Sequence, residues 1–140
     1  MSAEFSDEVR AFLESMTVPG VLSTLGAKGG PVTSAVWYGF LDGDIIISTP
    51  AGRPKARNAR ADARVSFIVD TKESPYRGVA VEGDAEVIDD PENVHMQNIS
   101  RRYLSPDLPD WTRQRIAHSD RVVLRIHPRR VRPWNISATP

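Results

Sequence analysis

Between Gly20 and Thr49 the chain is cut into short apolar runs by glycine-rich punctuation, and this limits the fold more than any other feature. Val21 to Leu25 reads as a short strand, Gly26-Ala27-Lys28-Gly29-Gly30 has the glycine content of a hairpin loop, and a second strand spans about Pro31 to Leu41. Asp42-Gly43 follows, the strongest short-range hairpin signal, and Ile45 to Thr49 completes a meander. Two further strands are expected over Arg64 to Asp70 and Val79 to Ile88. A last one runs from Val122 to Ile126, is broken at Pro128, and resumes over Val131 to Trp134. Helical patterns surround these strands. Val9, Phe12, Leu13 and Met16 repeat at helical spacing behind Ser6, Asp7 and Glu8, which suit a helix start. Arg53 to Ala61 and about Trp111 to Ala117 read as short helices, and Asp89-Asp90-Pro91-Glu92 opens one that continues to Tyr103. The expected fold is one domain over residues 1–140, mainly β with peripheral helices, built on a small antiparallel barrel of six or so strands. Such barrels leave edges and open mouths, so a homodimer that covers them is expected.

Composition narrows the function. With 140 residues, 40% of them hydrophobic, the chain supports one core and buries roughly 68% of its unfolded surface. Eighteen basic and eighteen acidic residues cancel, so no global field draws the protein to nucleic acid or an anionic membrane. The absence of cysteine removes thiol catalysis, disulfides and cysteine-type zinc or iron–sulfur sites. No run of about 18 apolar residues is present, and Glu4, Asp7 and Glu8 stand where a signal peptide would be positive, so a cytoplasmic location is expected.

The motifs of serine, zinc and ATP enzymes are missing: there is no Gly-x-Ser-x-Gly, no His-Glu-x-x-His, and Gly29-Gly30 is followed by proline rather than Lys-Ser. His95, His118 and His127 are not at metal-ligand spacing from one another, and no metal site is expected. The informative stretch is Ser48-Thr49 through Gly52-Arg53-Pro54-Lys55 and Arg57-Asn58 to Arg60. Hydroxyls at a strand end, a glycine turn and cations feeding a helix amino terminus are the parts of a phosphate site; the plainer reading is a solvated helix face of arginines. Ser34 to Phe40 alternates apolar residues on both faces, and Trp37 and Tyr38 fit packing as well as cofactor contact. Arg121, Arg125, Arg129, Arg130 and Arg132 interleave with Val122, Leu124 and Ile126, which marks a half-buried strand rather than a nucleic-acid surface.

Taken in order, Gly20-Val21-Leu22-Ser23-Thr24-Leu25, Pro31 to Tyr38, Ser48-Thr49 through Arg53-x-Lys55-x-x-Asn58 to Asp62-Ala63-Arg64-Val65-Ser66, Pro75-Tyr76-Arg77, Val81 to Glu86 and Val131-x-x-Trp134 resemble a known superfamily. It is the pyridoxamine-phosphate-oxidase-like, split β-barrel flavin and deazaflavin oxidoreductases. The short length and Val36-Trp37-Tyr38 resemble the branch that uses the deazaflavin coenzyme F420, and the arginine-rich composition agrees with an actinobacterial source. The ending Arg132-Pro133-Trp134-Asn135 departs from the Arg-Leu-Asn-Pro-like ending of pyridoxamine-phosphate oxidase proper, so pyridoxal-phosphate synthesis is not expected.

The resemblance implies a six-stranded split barrel and a homodimer with cofactor sites in the grooves between subunits. By position, Ser48, Thr49, Arg53 and Lys55 would hold the cofactor phosphate, with Arg57 and Asn58 nearby, and Ser34, Val36 and Trp37 would lie along the ring. Tyr76, Arg77 and Trp134 are further candidates for contact across the dimer, and Tyr38 is the candidate proton donor. The favoured activity is hydride transfer between F420 and a small electron-poor organic substrate, with no nucleic-acid or membrane partner. An FMN-dependent oxidase or reductase is the second reading, and a non-catalytic flavin- or haem-binding module the third. Loops such as Lys72 to Tyr76 and Ser105 to Trp111 would shape the substrate side.

Overall fold

The computed structural model describes residues 3–104, 109–117 and 120–137. Helix α1 (Asp7–Ser15) starts where Ser6 Oγ accepts the Val9 N–H at 3.2 Å, and it buries Val9, Phe12 and Leu13. Strands β1 (Gly20–Leu25), β2 (Pro31–Val36), β3 (Gly39–Leu41) and β4 (Asp44–Pro50) follow, then α2 (Pro54–Ala61), β5 (Arg64–Asp70) and β6 (Gly78–Asp89). The chain continues through α3 (Val94–Tyr103) and α4 (Asp110–Ala117) into β7 (Arg121–Trp134). All strands join one antiparallel sheet in the order β2-β1-β5-β6-β7-β4-β3. The Asp42-Gly43 turn has positive φ at both residues, 50° and 86°, as a two-residue hairpin of matching twist requires.

Three expectations change. The sheet has seven strands rather than six, because the span 31–41 is two strands interrupted at Trp37-Tyr38. The interruption has a cause: the Tyr38 N–H donates to the Tyr103 hydroxyl at 3.3 Å, and the Tyr38 carbonyl accepts from Arg102 Nε at 3.0 Å. Side chains of α3 thus take the groups a ladder would have used. Nor, among the described residues, does hydrogen bonding close the sheet, whose edges are β2 and β3. Those edges are consecutive in the chain, so a link of two residues forces the sheet to curl until its ends approach.

Second, β7 passes through Pro128 without ending. The register against β6 shifts between Glu82 and Gly83, so Gly83 faces Pro128 and Glu82 faces Arg130, which leaves Arg129 as the extra residue of a bulge. Strand β4 pairs with β7 only over Arg121 to Arg125, so the missing amide of Pro128 interrupts no ladder on that side. Third, α3 begins at Val94 rather than at the acidic run, because Asn93 is left-handed with φ 57°. Asp90 still serves the helix: its carboxylate accepts from the His95 and Met96 amides at 3.4 and 3.1 Å.

Leu22, Phe67, Val69, Val79, Val81, Leu124 and Ile126 fill the main core with Leu13 from α1, and Ile46, Ile99 and Val123 form a smaller cluster beneath α3. Each such side chain contributes about 1.5–3 kcal/mol on burial. No helix among the described residues is long and apolar enough to cross a membrane.

Gly78 pairs with Trp134, and a β-carbon at 78 would overlap the indole ring. Gly78→Ala is therefore expected to destabilise the protein by about 1–3 kcal/mol, the range for overpacking. Denaturant titration checks this; an unchanged midpoint would mean that Trp134 moves aside freely.

Candidate functional site

Strand β4 ends in Ser48-Thr49-Pro50, and after a two-residue turn Arg53 occupies the N-cap of α2 with Pro54 at the first helical position. The Arg53 side chain makes no capping hydrogen bond to this helix start. Helix α2 is seated by its buried Ala56 and Ala59 and by Asn58, whose Nδ2 donates to Thr24 Oγ1 at 3.1 Å. Arg60 closes the turn from behind, donating to the Ala51 carbonyl at 2.9 Å. The Pro50↔Arg121 pairing brings the start of β7 alongside this junction, and the end of β2 and the inner side of α3 complete the walls.

The result is a cavity of about 360 Å³ lined by Ala35, Val36, Trp37, Ser48, Thr49, Pro50, Arg53, Lys55, Met96, Ile99 and Arg121. That volume lies in the range of small-molecule sites. The chemistry is divided: Ser48, Thr49, Arg53, Lys55 and Arg121 make one part polar and cationic, while Val36, Trp37, Met96 and Ile99 make the other apolar. No carboxylate lines it among the described residues. Arg121 is only 5% exposed, and its guanidinium donates to Ser48 Oγ at 3.3 Å. Burial lowers the Lys55 pKa from its ordinary value, and the neighbouring charges of Arg53 and Arg121 lower it further. Concentrated positive charge of this kind, with hydroxyl donors beside it, suits a phosphate-bearing ligand.

Six of the expected residues meet here: Val36, Trp37, Ser48, Thr49, Arg53 and Lys55. The others do not line the cavity. Ser34 sits half-buried in the ladder opposite Leu22, Asn58 holds α2 to β1, and Arg57 is exposed on α2. Tyr76, 61% exposed, and Trp134 lie around the β6–β7 end, where Asn135 donates to the Tyr76 carbonyl. The Arg77 guanidinium lies 5.6 Å from the centre of the Phe12 ring. Tyr38 requires correction. It is fully buried, its hydroxyl donates to the Leu13 carbonyl at 2.7 Å and lies 3.1 Å from that of Met16, and its ring packs edge-on against Phe40 and Phe67. Burial raises its pKa strongly, so the proton is held in the core rather than offered at a cavity mouth.

Arg121, Met96 and Ile99 were not among the expected site residues. The register of β4 against β7 alone brings Arg121 to the site; the i, i+3 spacing of Met96 and Ile99 was the available sign of a helix face. His127 lies outside the cavity, between Glu86 and Asp44, and His118 falls outside the described residues, as does the 105–108 part of the expected substrate loop. Among the described residues no cluster of metal-ligating side chains is found.

The sequence model of the pyridoxamine 5′-phosphate oxidase family matches residues 5–135. A conserved hypothetical protein of Mycobacterium tuberculosis is similar in structure, with 33% identity, a TM-score of 0.79, and coverage of 99% of this chain and 91% of that one. An F420 reductase is similar at 25% identity and TM-score 0.73, over 88% of this chain and 94% of that one. A haem-binding protein of Mycobacterium smegmatis matches at 25% identity and TM-score 0.70, over 94% of this chain and 55% of that one.

Two outcomes follow from the geometry. Tyr38→Phe leaves the buried Leu13 carbonyl without its partner and is expected to lower stability by about 1–3 kcal/mol while ligand affinity stays unchanged; thermal unfolding and ligand titration separate the two effects. Because its pKa is lowered in the fold, charged Lys55 opposes folding below that pKa, and the opposition is relieved as pH rises past the ordinary lysine value. A bound anion favours the charged form. Affinity for sulfate, a phosphate analogue whose own charge does not change over this range, is therefore expected to fall as alkaline pH passes the lowered Lys55 pKa. The fall should disappear in Lys55→Arg, measured by sulfate titration across pH.

Proposed function

The chain belongs to the pyridoxamine 5′-phosphate oxidase family, and from that premise we propose that its cavity binds coenzyme F420 and that the protein is an F420-dependent oxidoreductase acting on small electron-poor organic molecules. The observation that carries the reading is the divided cavity, in which Arg53, Lys55, Arg121, Ser48 and Thr49 sit beside Val36, Trp37, Met96 and Ile99. A flavin or deazaflavin has a comparable division, a phosphate joined through a chain to a flat aromatic ring system. The similarity to an F420 reductase at 25% identity supports the deazaflavin.

When bound, a deazaflavin supplies two-electron hydride chemistry at a ring carbon. The chain's own contribution is to bind and orient. Lys55 and Arg53 hold the phosphate by charge-assisted hydrogen bonds, Arg121 keeps the Ser48 hydroxyl in place, and the apolar wall excludes water from the ring. Tyr38, with its hydroxyl committed to the Leu13 carbonyl in the core, does not donate a proton at this site. Pairing of two subunits over the exposed edge belongs to the same proposal. Among the described residues strand β2 has a partner on one side only and leaves Val32 42% exposed, an edge that a second subunit would cover. Sedimentation is expected to show a dimer at micromolar concentration.

An FMN enzyme is the second reading, since the phosphate-binding residues serve either cofactor. Lys55→Ala is expected to weaken cofactor binding by about 1.5–3 kcal/mol, the range for a hydrogen bond to a charged group, and Lys72→Ala, which loses only its exposed pairing with Asp70, to do little. The acidic tail of F420 would run past Arg57 and Arg60 on the exposed side of α2, where each pair is worth about 0.2–1 kcal/mol and is screened by salt. Parallel fluorescence titrations should therefore show tighter binding of F420 than of FMN, with the advantage shrinking at high salt and in Arg57→Ala/Arg60→Ala. FMN binding equal or tighter at every salt concentration would replace the deazaflavin with FMN.

A further inference from the structure

We propose that Tyr103, which does not line the cavity, is a positioning residue that holds Trp37 as a rigid wall for the planar ring of the ligand. The inference rests on the cavity being a flavin or deazaflavin site. Trp37 is half-buried, lines the cavity, and occupies the two-residue link between β2 and β3, where no ladder fixes the backbone. Its indole stacks on the Tyr103 ring with centroids 4.9 Å apart and planes inclined by 4°. The same tyrosine holds the link itself, since its hydroxyl accepts from the Tyr38 N–H at 3.3 Å and donates to the Val18 carbonyl at 3.0 Å. One side chain therefore sets both the backbone that carries Trp37 and the face against which the indole lies.

Tyr103 is well anchored for this work. It is the last residue of α3, and its neighbour Arg102 donates to the Tyr38 carbonyl at 3.0 Å and the Met16 carbonyl at 3.0 Å, with its guanidinium 4.9 Å from the Tyr38 ring centre and 5.0 Å from that of Phe40. At the other end of α3, Asp90 accepts from the first helical amides. Between these anchors lie Met96 and Ile99, which line the cavity beside Trp37. The ring-binding wall is thus one unit, Trp37 on its link and one face of α3, joined through Tyr103. The cationic part is built separately on β4, α2 and β7. A defect at Tyr103 should then weaken recognition of the ring and spare recognition of the phosphate.

The test compares wild type with Tyr103→Phe, Tyr103→Leu, Trp37→Leu and the Trp37→Leu/Tyr103→Leu double variant. FMN and F420 are titrated by fluorescence, inorganic phosphate by thermal shift, and near-ultraviolet circular dichroism of the ligand-free protein reports the stacked pair. Tyr103→Phe keeps the ring stack but leaves the Tyr38 N–H without its partner, so it is expected to retain the dichroism signal and to weaken the cofactor less than Tyr103→Leu does. Tyr103→Leu and Trp37→Leu should each weaken the bound cofactor roughly threefold to tenfold, the equivalent of one aromatic pair, and lose the dichroism signal with phosphate affinity unchanged. The double variant should be no weaker than the worse single one, because both changes remove the same wall. Wild-type cofactor affinity in Tyr103→Leu, with Lys55→Ala still impaired, overturns the role of Tyr103 and leaves the cofactor site standing. Loss of phosphate together with cofactor also overturns it, since Tyr103 would then support the whole site. If Tyr103→Leu does not fold, Trp37→Leu decides, and unchanged cofactor affinity there sinks the proposal. Failure of the wild type to bind either cofactor removes the cavity reading and this inference with it.

Discussion

The peptide of Tyr38 is the point on which the rest of the structure turns. Its N–H and C=O would ordinarily continue the strand begun at Pro31, yet both are taken by the side chains of Tyr103 and Arg102. A buried backbone group left unpaired would cost roughly 1–3 kcal/mol, so the break in the strand is possible only because α3 supplies the partners. Its consequence is topological. Strands β2 and β3 part company and become the two opposite edges of one sheet, which must curl to keep them two residues apart. Tyr38 itself turns inward, its hydroxyl satisfied by the carbonyls of Leu13 in α1 and of Met16 just beyond it, and seals the sheet against the helix.

That break also creates the cavity. An uninterrupted β2–β3 strand would pair Trp37 in a ladder, whereas the link leaves it against α3 at the mouth of the space between helix and sheet. The opposite wall arises from a different constraint. Strand β4 must stop at Pro50 to let α2 begin, and its pairing with β7 places Arg121 beside Ser48. Three cations then share a partly buried space. Burial first, and then the charges of Arg53 and Arg121, lower the pKa of Lys55, an unfavourable arrangement that a bound anion would relieve.

The order of the elements along the chain was legible because each carries its own local signal. The apolar periodicity of Val9, Phe12, Leu13 and Met16, the Asp42-Gly43 turn, and the strand-turn-helix junction from Ser48 to Ala61 all depend on neighbours in sequence, and the structure keeps them. For the same reason Ser48, Thr49, Arg53 and Lys55 could be grouped from the sequence alone: a cationic strand-turn-helix junction is contiguous in the chain. Val36 and Trp37 joined them through a family resemblance in the order of the segments.

What failed was whatever depends on distant partners. Tyr38 looks the same in sequence whether its hydroxyl faces solvent or the Leu13 carbonyl, and only the docking of α1 decides between them. Pro128 signals a break, but a strand edge that needs no amide there lets β7 continue. Arg121 reads as one of several strand arginines until register sets it opposite Pro50, and Tyr103 reads as the end of a helix until its ring meets Trp37 across 66 positions of chain. By itself the sequence determined the local elements and the cationic junction, because backbone propensity and turn chemistry act over a few residues. The tertiary structure decided which edges parted, which tyrosine was buried and which residues closed the cavity, because those outcomes depend on long-range hydrogen bonds and packing partners that no local window contains.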